Sequence, residues 1–390
     1  MGAIAVERLD LGDARLREFE RLPWRLYRGD PNWTPQLKMD LLGSRLLKVN
    51  GLLTADHPYQ EQADVTHFIV RRDGQVVGRV SAAVNHRFNE YHDCKIGSFG
   101  FFETENDFEV ASALLDAARD WVADRGMEIL RGPGEYSNAT YERQALLVDG
   151  FDTSPVVELT HNPPYYQDLI ERYGFGKVMD YHAYRLDIDA TESLRVRRVA
   201  AAVRARREIE TRAASVKDFA EDVRLVARIY NEAWAENWGF LPLTMGEADV
   251  LADTLKPILD PELVRFAYVG GEPAAVLGAF PDPNWALRPR WKWYGDSDAV
   301  RIARLLAVRR HIPRVRLMFF GIRPRFRRLG IDAVLFEEVL DHALSKGYKE
   351  CDISMLLEHN DLILRASEFM GARRYKTWRI YDLPLTGSSP

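Results

Sequence analysis

Cysteine is almost missing from this sequence. The 390 residues hold two, Cys94 and Cys351, one in each half. Two are too few for a disulfide framework or a cysteine-built zinc site, so a reducing compartment is expected and no metal. Long apolar runs are missing too. None approaches the roughly 18–20 residues of a membrane-spanning helix, and the opening MGAIAVERLDLGD turns acidic before a signal core can form. Gly2 lacks the hydroxyl residue that myristoylation needs four positions later, where Val6 stands. Positive charge is not in excess: the net charge is −5, which argues against a nucleic-acid partner. These absences predict a cytoplasmic protein, monomer or homodimer, with neither nucleic acid nor membrane as partner.

Apolar residues make up 46% and charged residues 28%, the balance of a chain with packed cores. The length suits two domains of about 150–200 residues. In the first half, HFIVRR and QVVGRVSAAV flank Asp73-Gly74, a hairpin signal. KIGSFGFFE reads as a buried strand. Leu114, Ala117, Ala118, Trp121 and Val122 mark one face of a helix stopped by Gly126. A short strand (MEIL), a Gly/Pro-rich excursion, the helix YYQDLIERYG and the strand MDYHAYRLDI follow.

The second half repeats this order. FAYV and AAVLGAF lie around Gly270-Gly271, followed by VRLMFFGI, then a helix stopped by Gly347, then CDISML, LILRASEFMG and TWRIYDL. Adding 197 to Gly74, Glu171, Gly174, Tyr184 and Leu186 gives Gly271, Glu368, Gly371, Tyr381 and Leu383, all identical. Adding 221 to Leu114 and Gly126 gives Leu335 and Gly347. The shared order with caps in register reads as a duplication. The expected division is residues 1–193, a basic linker at 194–215, and 216–390. The linker carries LRVRRVAAAVRARREIETR, read as a solvated helix rather than a polyanion-binding surface.

One segment points to chemistry. VRLMFFGIRPRFRRLGIDAVLFEEVL (315–340) is a strand, an arginine-rich turn with Gly330, and a helix. A helix N-terminus with unpaired N–H groups favours an anion, and Gly330 permits close backbone approach. Arg327-Arg328-Leu329-Gly330-Ile331-Asp332 resembles the pyrophosphate loop of the Gcn5-related N-acetyltransferase (GNAT) superfamily, Arg/Gln-x-x-Gly-x-Gly/Ala. It departs from that pattern at Asp332. Asn360 with Gly371 fits the superfamily's later Asn and Gly. DPNWTP, GFFE, LLVDGFD, YNEAWAENWGF, LPLT and PDPN further resemble a family of bacterial tandem GNAT proteins, over about residues 20–383.

The resemblance implies an α/β (α+β) fold of two tandem GNAT-like domains, each a mixed, mostly antiparallel sheet flanked by helices. It implies an N-acyltransferase that passes an acyl group, acetyl foremost, from acyl-CoA to an amine of a small molecule or peptide. Phe320, Gly321 and Ile322 would line the thioester and polarise its carbonyl. Arg327, Arg328, Leu329, Gly330, Ile331, Asp332 and Asn360 would hold the coenzyme. Ser367 stands where many relatives place a tyrosine acid, with Tyr375 as a substitute. Glu358, His359 and Asp282 are the base candidates. Asn231, Trp234, Asn237, Trp238 and Phe240 would form the acceptor wall, with the loop bearing Asn138, Tyr141 and Glu142 closing over it.

The first half lacks the loop. Glu103, Glu105, Asp107 and Glu109 follow its central strand without a glycine, so it reads as a copy that binds no coenzyme. Two other readings stay open: a non-catalytic acyl-CoA or metabolite-binding protein, and a Fem-like aminoacyl-tRNA-dependent transferase.

Overall fold

A computed structural model describes residues 2–136, 143–289 and 297–385. Thirteen strands occur among them: β1 (Ile4–Leu9), β2 (Ala63–Arg72), β3 (Gln75–Asn85), β4 (Ile96–Thr104), β5 (Ile129–Gly134), β6 (Leu146–Asp149), β7 (Gly176–Asp187), β8 (Glu210–Ala213), β9 (Val264–Val269), β10 (Glu272–Pro281), β11 (Arg314–Ile322), β12 (Glu350–Leu357) and β13 (Arg373–Pro384). The helices are α1 (Leu16–Leu26), α2 (Lys38–Leu42), α3 (His86–His92), α4 (Phe108–Ala123), α5 (Tyr165–Tyr173), α6 (Ala190–Arg204), α7 (Phe219–Ala233), α8 (Met245–Leu255), α9 (Asn284–Leu287), α10 (Asp298–Val308), α11 (Ile331–Lys346) and α12 (Asp361–Phe369). None is long and apolar enough to cross a membrane among the described residues.

Local chemistry sets these boundaries as the sequence predicts. The β2–β3 hairpin turns on Asp73 and Gly74 at φ 50° and 78°, a pair of positive values that Asp-Gly tolerates. Helix α4 is capped by Asp107, whose carboxylate accepts the N–H groups of Glu109 and Val110. Helices α5 and α11 stop at left-handed Gly174 and Gly347.

The chain forms two compact units. The first comprises Met1–Asp180, Leu287–Ile302 and Thr377–Pro390; the second comprises Tyr181–Ala286 and Ala303–Lys376. This division departs from the one expected at residues 194–215. In the first unit, β1, β2, β3 and β4 are successively antiparallel, β4 and β5 are parallel, and β5 pairs with Tyr381–Pro384 of β13. In the second unit, β8, β9, β10 and β11 are antiparallel, β11 and β12 are parallel, and β12 pairs with Tyr181–Asp187 of β7. The two sheets share one topology, but each borrows its last strand from the other half of the sequence. Two repeated side-chain pairs record the exchange. Tyr184 donates to Glu368 at 3.2 Å in the second unit, and Tyr381 donates to Glu171 at 2.8 Å in the first.

The segment expected to be a solvated linker is also structural. Helix α6 lies on α11 within the second unit, with Val196 and Ala200 buried. Its Arg197 pairs with Asp341, and its Arg204 with Glu337 and Glu338. The reason is complementary charge: α11 presents a row of carboxylates to the arginines of α6. Strand β8 then joins the sheet beside β9. The cores are separate clusters, one around Val80, Leu114 and Leu130, the other around Leu277, Val315, Leu335 and Ile353.

Candidate functional site

In the second unit the parallel strands part. β11 and β12 pair from Arg314/Glu350 only as far as Leu317/Ile353. Beyond that point β12 stays with β7, at Leu356 and Leu357, while β11 stays with β10 as far as Ile322. One backbone edge of Met318–Ile322 is thereby released from the ladder. Phe320, Gly321 and Ile322 lie on it. The Phe320 carbonyl accepts the Trp234 indole N–H at 2.9 Å. Gly321 lies against α7, where an added Cβ would stand 3.0 Å from that of Ala233.

The chain leaves β11 through the arginine turn into α11. Arg323 pairs with Glu232, Arg325 with Glu272, and Arg327 with Glu236 and the Ala233 carbonyl. Arg328, at φ 65°, makes no ion pair or side-chain hydrogen bond among the described residues, which leaves a cation beside the helix N-terminus. Leu329 packs on the core, Ile331 is fully buried, and Asp332 is exposed in the first turn of α11. Gly330 has φ 79°, and a Cβ there would lie 2.5 Å from Val203 of α6. Its lack of a side chain therefore already has a packing reason.

The side chains nominated for proton transfer fare unevenly. Asp282 is fully buried and held by Arg314, while its other oxygen accepts the Asn284 N–H at 3.2 Å. The Ser367 hydroxyl is spent inside its own helix on the Ile363 carbonyl at 2.8 Å. Tyr375 donates to buried Asp352, and burial pushes its hydroxyl well above the ordinary value. Burial also pushes the Cys351 thiol up to about 12, so it is no thiolate near neutral pH. Glu358 and exposed His359 form the turn after β12, and Asn360 opens α12 without a side-chain cap.

The expected acceptor wall divides similarly. Asn231 clamps Leu243 through both N–H and C=O, at 2.7 and 3.1 Å, and so fastens the following loop to α7. Phe240 is core, packed on Tyr230. Trp234 is committed to Phe320. Asn237 is partly buried, and Trp238 lies edge-on to Tyr181 with ring centroids 6.4 Å apart. Asn138, Tyr141 and Glu142 lie outside the described residues.

The first unit holds a cavity lined by buried charges that sequence reasoning missed. Its β4 and β5 also part, after Gly100/Gly134. The two backbones are so close there that a Cβ on Gly100 would fall 1.6 Å from the Gly134 carbonyl oxygen. A cavity of about 110 Å³ opens next to this point, walled by Glu20, Trp24, Arg79, Glu103, Glu135 and Arg143 among others. Glu103 accepts hydroxyls from Tyr27 at 2.9 Å and Tyr166 at 2.7 Å. Burial raises its carboxyl, with Arg79 opposing. Arg79 donates to the Phe19 carbonyl at 2.6 Å and lies over the Phe19 ring. Glu135 accepts from Gln36 at 2.5 Å, and burial pushes it up to about 8.

Glu103 therefore does not stand among surface carboxylates facing a phosphate. Glu105 and Glu109 pair with Arg25 and Arg72, and Asp107 already fills the α4 N-terminus. The missed signals were charges inside apolar context: Arg79 in VVGRVSAAV, Glu103 in GFFE and Glu135 in GPGEY.

No family model matches the chain. It is 31% identical over 382 residues to the bacterial ceramide synthase of Caulobacter vibrioides, with 95% of each chain covered. It is 28% identical over 371 residues to Protein YghO of Escherichia coli, covering 94% of this chain and 92% of that one. Among solved structures, a tandem GNAT protein from the clavulanic acid biosynthesis pathway superposes with TM-score 0.56 and 13% identity, covering 99% of this chain and 100% of that one. A GCN5-related N-acetyltransferase from Sphaerobacter thermophilus does so with TM-score 0.51 and 13% identity, covering 98% and 96%. These structural likenesses concern the fold.

Proposed function

We infer the function from membership: the chain belongs to the GNAT superfamily, within the tandem family of the bacterial ceramide synthase and YghO. The reading is an acyltransferase that takes its acyl group from an acyl-CoA thioester and delivers it to an amine. One observation carries it. The edge of Met318–Ile322 freed by the parting of β11 and β12 runs straight into an arginine turn and the start of a sixteen-residue helix. A slot for an extended pantetheine arm and a seat for its pyrophosphate thus stand in line.

The residues present fit that donor. Arg328 supplies an unpaired cation, and the α11 N-terminus supplies N–H groups and a partial positive charge. Asp332 opposes it from the exposed side. A released N–H near Gly321 would polarise the thioester carbonyl as the amine attacks. The carbon–nitrogen bond forms, the carbon–sulfur bond breaks, and the thiolate leaves. The amine's proton passes to a base at the turn after β12, where exposed His359 stands beside Glu358. Asp282 and Ser367 are already engaged, so this reading gives them a structural part. For the acceptor, the name of the Caulobacter relative directs attention to long-chain amines.

Titration of the full chain with acetyl-CoA and long-chain acyl-CoAs tests the donor. Arg328→Glu reverses charge at the proposed seat and should weaken binding at least tenfold without lowering the melting temperature. Asn106→Lys with Glu109→Lys in the first unit should leave affinity unchanged. Coenzyme binding that ignores Arg328→Glu would move the donor site elsewhere.

A further inference from the structure

We propose that the chain docks on an anionic lipid surface through a tip of the first unit formed by Arg45, Leu46, Leu47 and Lys48. Docking there does not depend on acyl transfer by the second unit. The fold leaves both leucines of the tip in water: Leu46 is 91% exposed and Leu47 56%. A single exposed leucine means little. These two are the only consecutive pair among the large apolar side chains exposed in the described residues. Their neighbours Arg45 and Lys48 are exposed as well, and make no ion pair or side-chain hydrogen bond among the described residues.

The surrounding backbone holds the leucines out. Ser44 and Val49 close the tip by exchanging backbone hydrogen bonds at 2.9 and 3.0 Å, and the Ser44 hydroxyl accepts the Leu47 N–H at 3.3 Å. Lys48 turns the chain at φ 53°. At the base, the Leu52 and Leu53 N–H groups donate to the Asp40 and Leu41 carbonyls, both at 2.8 Å, and Leu41, Leu52 and Leu53 are buried. Gly51 passes so close to Gly43 that a Cβ on it would lie 2.1 Å from the Gly43 nitrogen. A tip ordered in advance loses little entropy when it inserts.

Charge selects the occupant. No acidic residue occurs between Asp40 and Asp56, so the tip is locally cationic although the whole chain carries −5. Charges beyond about 8 Å are largely screened at physiological salt. Two leucines between two cations match a bilayer of anionic lipids. The apolar side chains enter the boundary between headgroups and acyl chains, and the cations stay among the phosphates. A protein partner would need about 20–30 residues a side, whereas this tip offers four. The lack of long apolar runs excludes a spanning helix but not a contact of this kind.

Co-sedimentation of the full chain with vesicles of mixed phosphatidylcholine and phosphatidylglycerol tests the proposal, beside vesicles of phosphatidylcholine alone. The anionic vesicles should bind at least tenfold more tightly than the neutral ones. Leu46→Ser with Leu47→Ser should weaken binding to anionic vesicles at least tenfold and leave the melting temperature unchanged. Arg45→Gln with Lys48→Gln should weaken it about tenfold and remove most of its salt dependence. Leu362→Ser, which replaces a leucine 86% exposed on α12, should change nothing. Absence of binding to anionic vesicles, or equal binding to neutral ones, would overturn the proposal. So would binding indifferent to the paired leucine change, or lost equally with Leu362→Ser. A dimer in solution that the paired leucine change dissociates would assign the tip to a second copy of the chain and overturn it too.

Discussion

Replacing Glu135 by glutamine should make the protein more stable at alkaline pH, although it removes a buried charged residue. The carboxyl is held up to about 8 from an ordinary 4.5, chiefly by burial. In the unfolded chain it ionises near its ordinary value. Between those two values the folded state holds a proton that the unfolded state has lost. Stability therefore falls as pH rises through this window and levels off above it. The full displacement corresponds to at most about 5 kcal/mol, and relaxation around the charge leaves a realistic share of about 3 kcal/mol. Glutamine keeps the acceptor for Gln36 and carries no charge at any pH. Near pH 5 the two proteins should melt together. At pH 8.5 the variant should melt higher by about 6–12 °C, the shift expected for that energy in a unit of this size. Thermal melts of both proteins at pH 5, 7 and 8.5 give the comparison. Asp40, pushed up to about 7, adds a similar slope to each protein and cancels in the difference. A variant equally or less stable than the parent at pH 8.5 would show that Glu135 is ionised and compensated in the folded protein.

Three further outcomes are expected. Gly330→Ala should lower the melting temperature of the second unit, and Val203→Ala in the same chain should recover only part of the loss, because the left-handed φ of 79° remains. Trp378→Ala removes a fully buried indole whose N–H reaches the Thr160 carbonyl at 3.0 Å. It should cost about 3–5 kcal/mol, seen as an early transition in melting, with acyl-CoA binding in the second unit retained. Trp238→Ala should cut acyl transfer to an amine by about 1–3 kcal/mol in kcat/KM while acyl-CoA affinity and melting stay level; joint loss of all three would make Trp238 a packing residue instead.

The hairpins, the central strands and the glycine stops were readable because each rests on a local pattern. Asp73-Gly74 forces a turn whatever surrounds it, and the helix face from Leu114 to Val122 repeats at 3.6 residues. The strand exchange was not readable, and the duplication itself is the reason. Tyr184 and Tyr381, like Glu171 and Glu368, are interchangeable by type, so the sequence does not say which tyrosine meets which glutamate. The sites were legible as residue types near a strand end, but not as free or engaged groups. Asp282 and Asn231 look available in sequence, and only the folded chain shows Arg314 and Leu243 using them. Glu103 reads in sequence as one of four carboxylates that would repel a pyrophosphate, and the two tyrosines that enclose it lie more than 60 residues away in either direction.

The borrowed strands also set an order of assembly. The first unit is translated first, yet its sheet lacks the partner of β5 until Tyr381–Pro384 leaves the ribosome. At about 5–20 residues per second, the chain between Asp180 and Thr377 takes on the order of 10–40 s to make. Through that interval β5 presents an unpaired edge, the kind of surface that recruits wrong strands. The available stand-in is β7, which is already synthesised and is related to β13 by the repeat. A nascent first unit closed by its own β7 would have to surrender it to β12 and accept β13. Borrowing β13 thus leaves the first sheet one strand short for as long as the intervening chain takes to make.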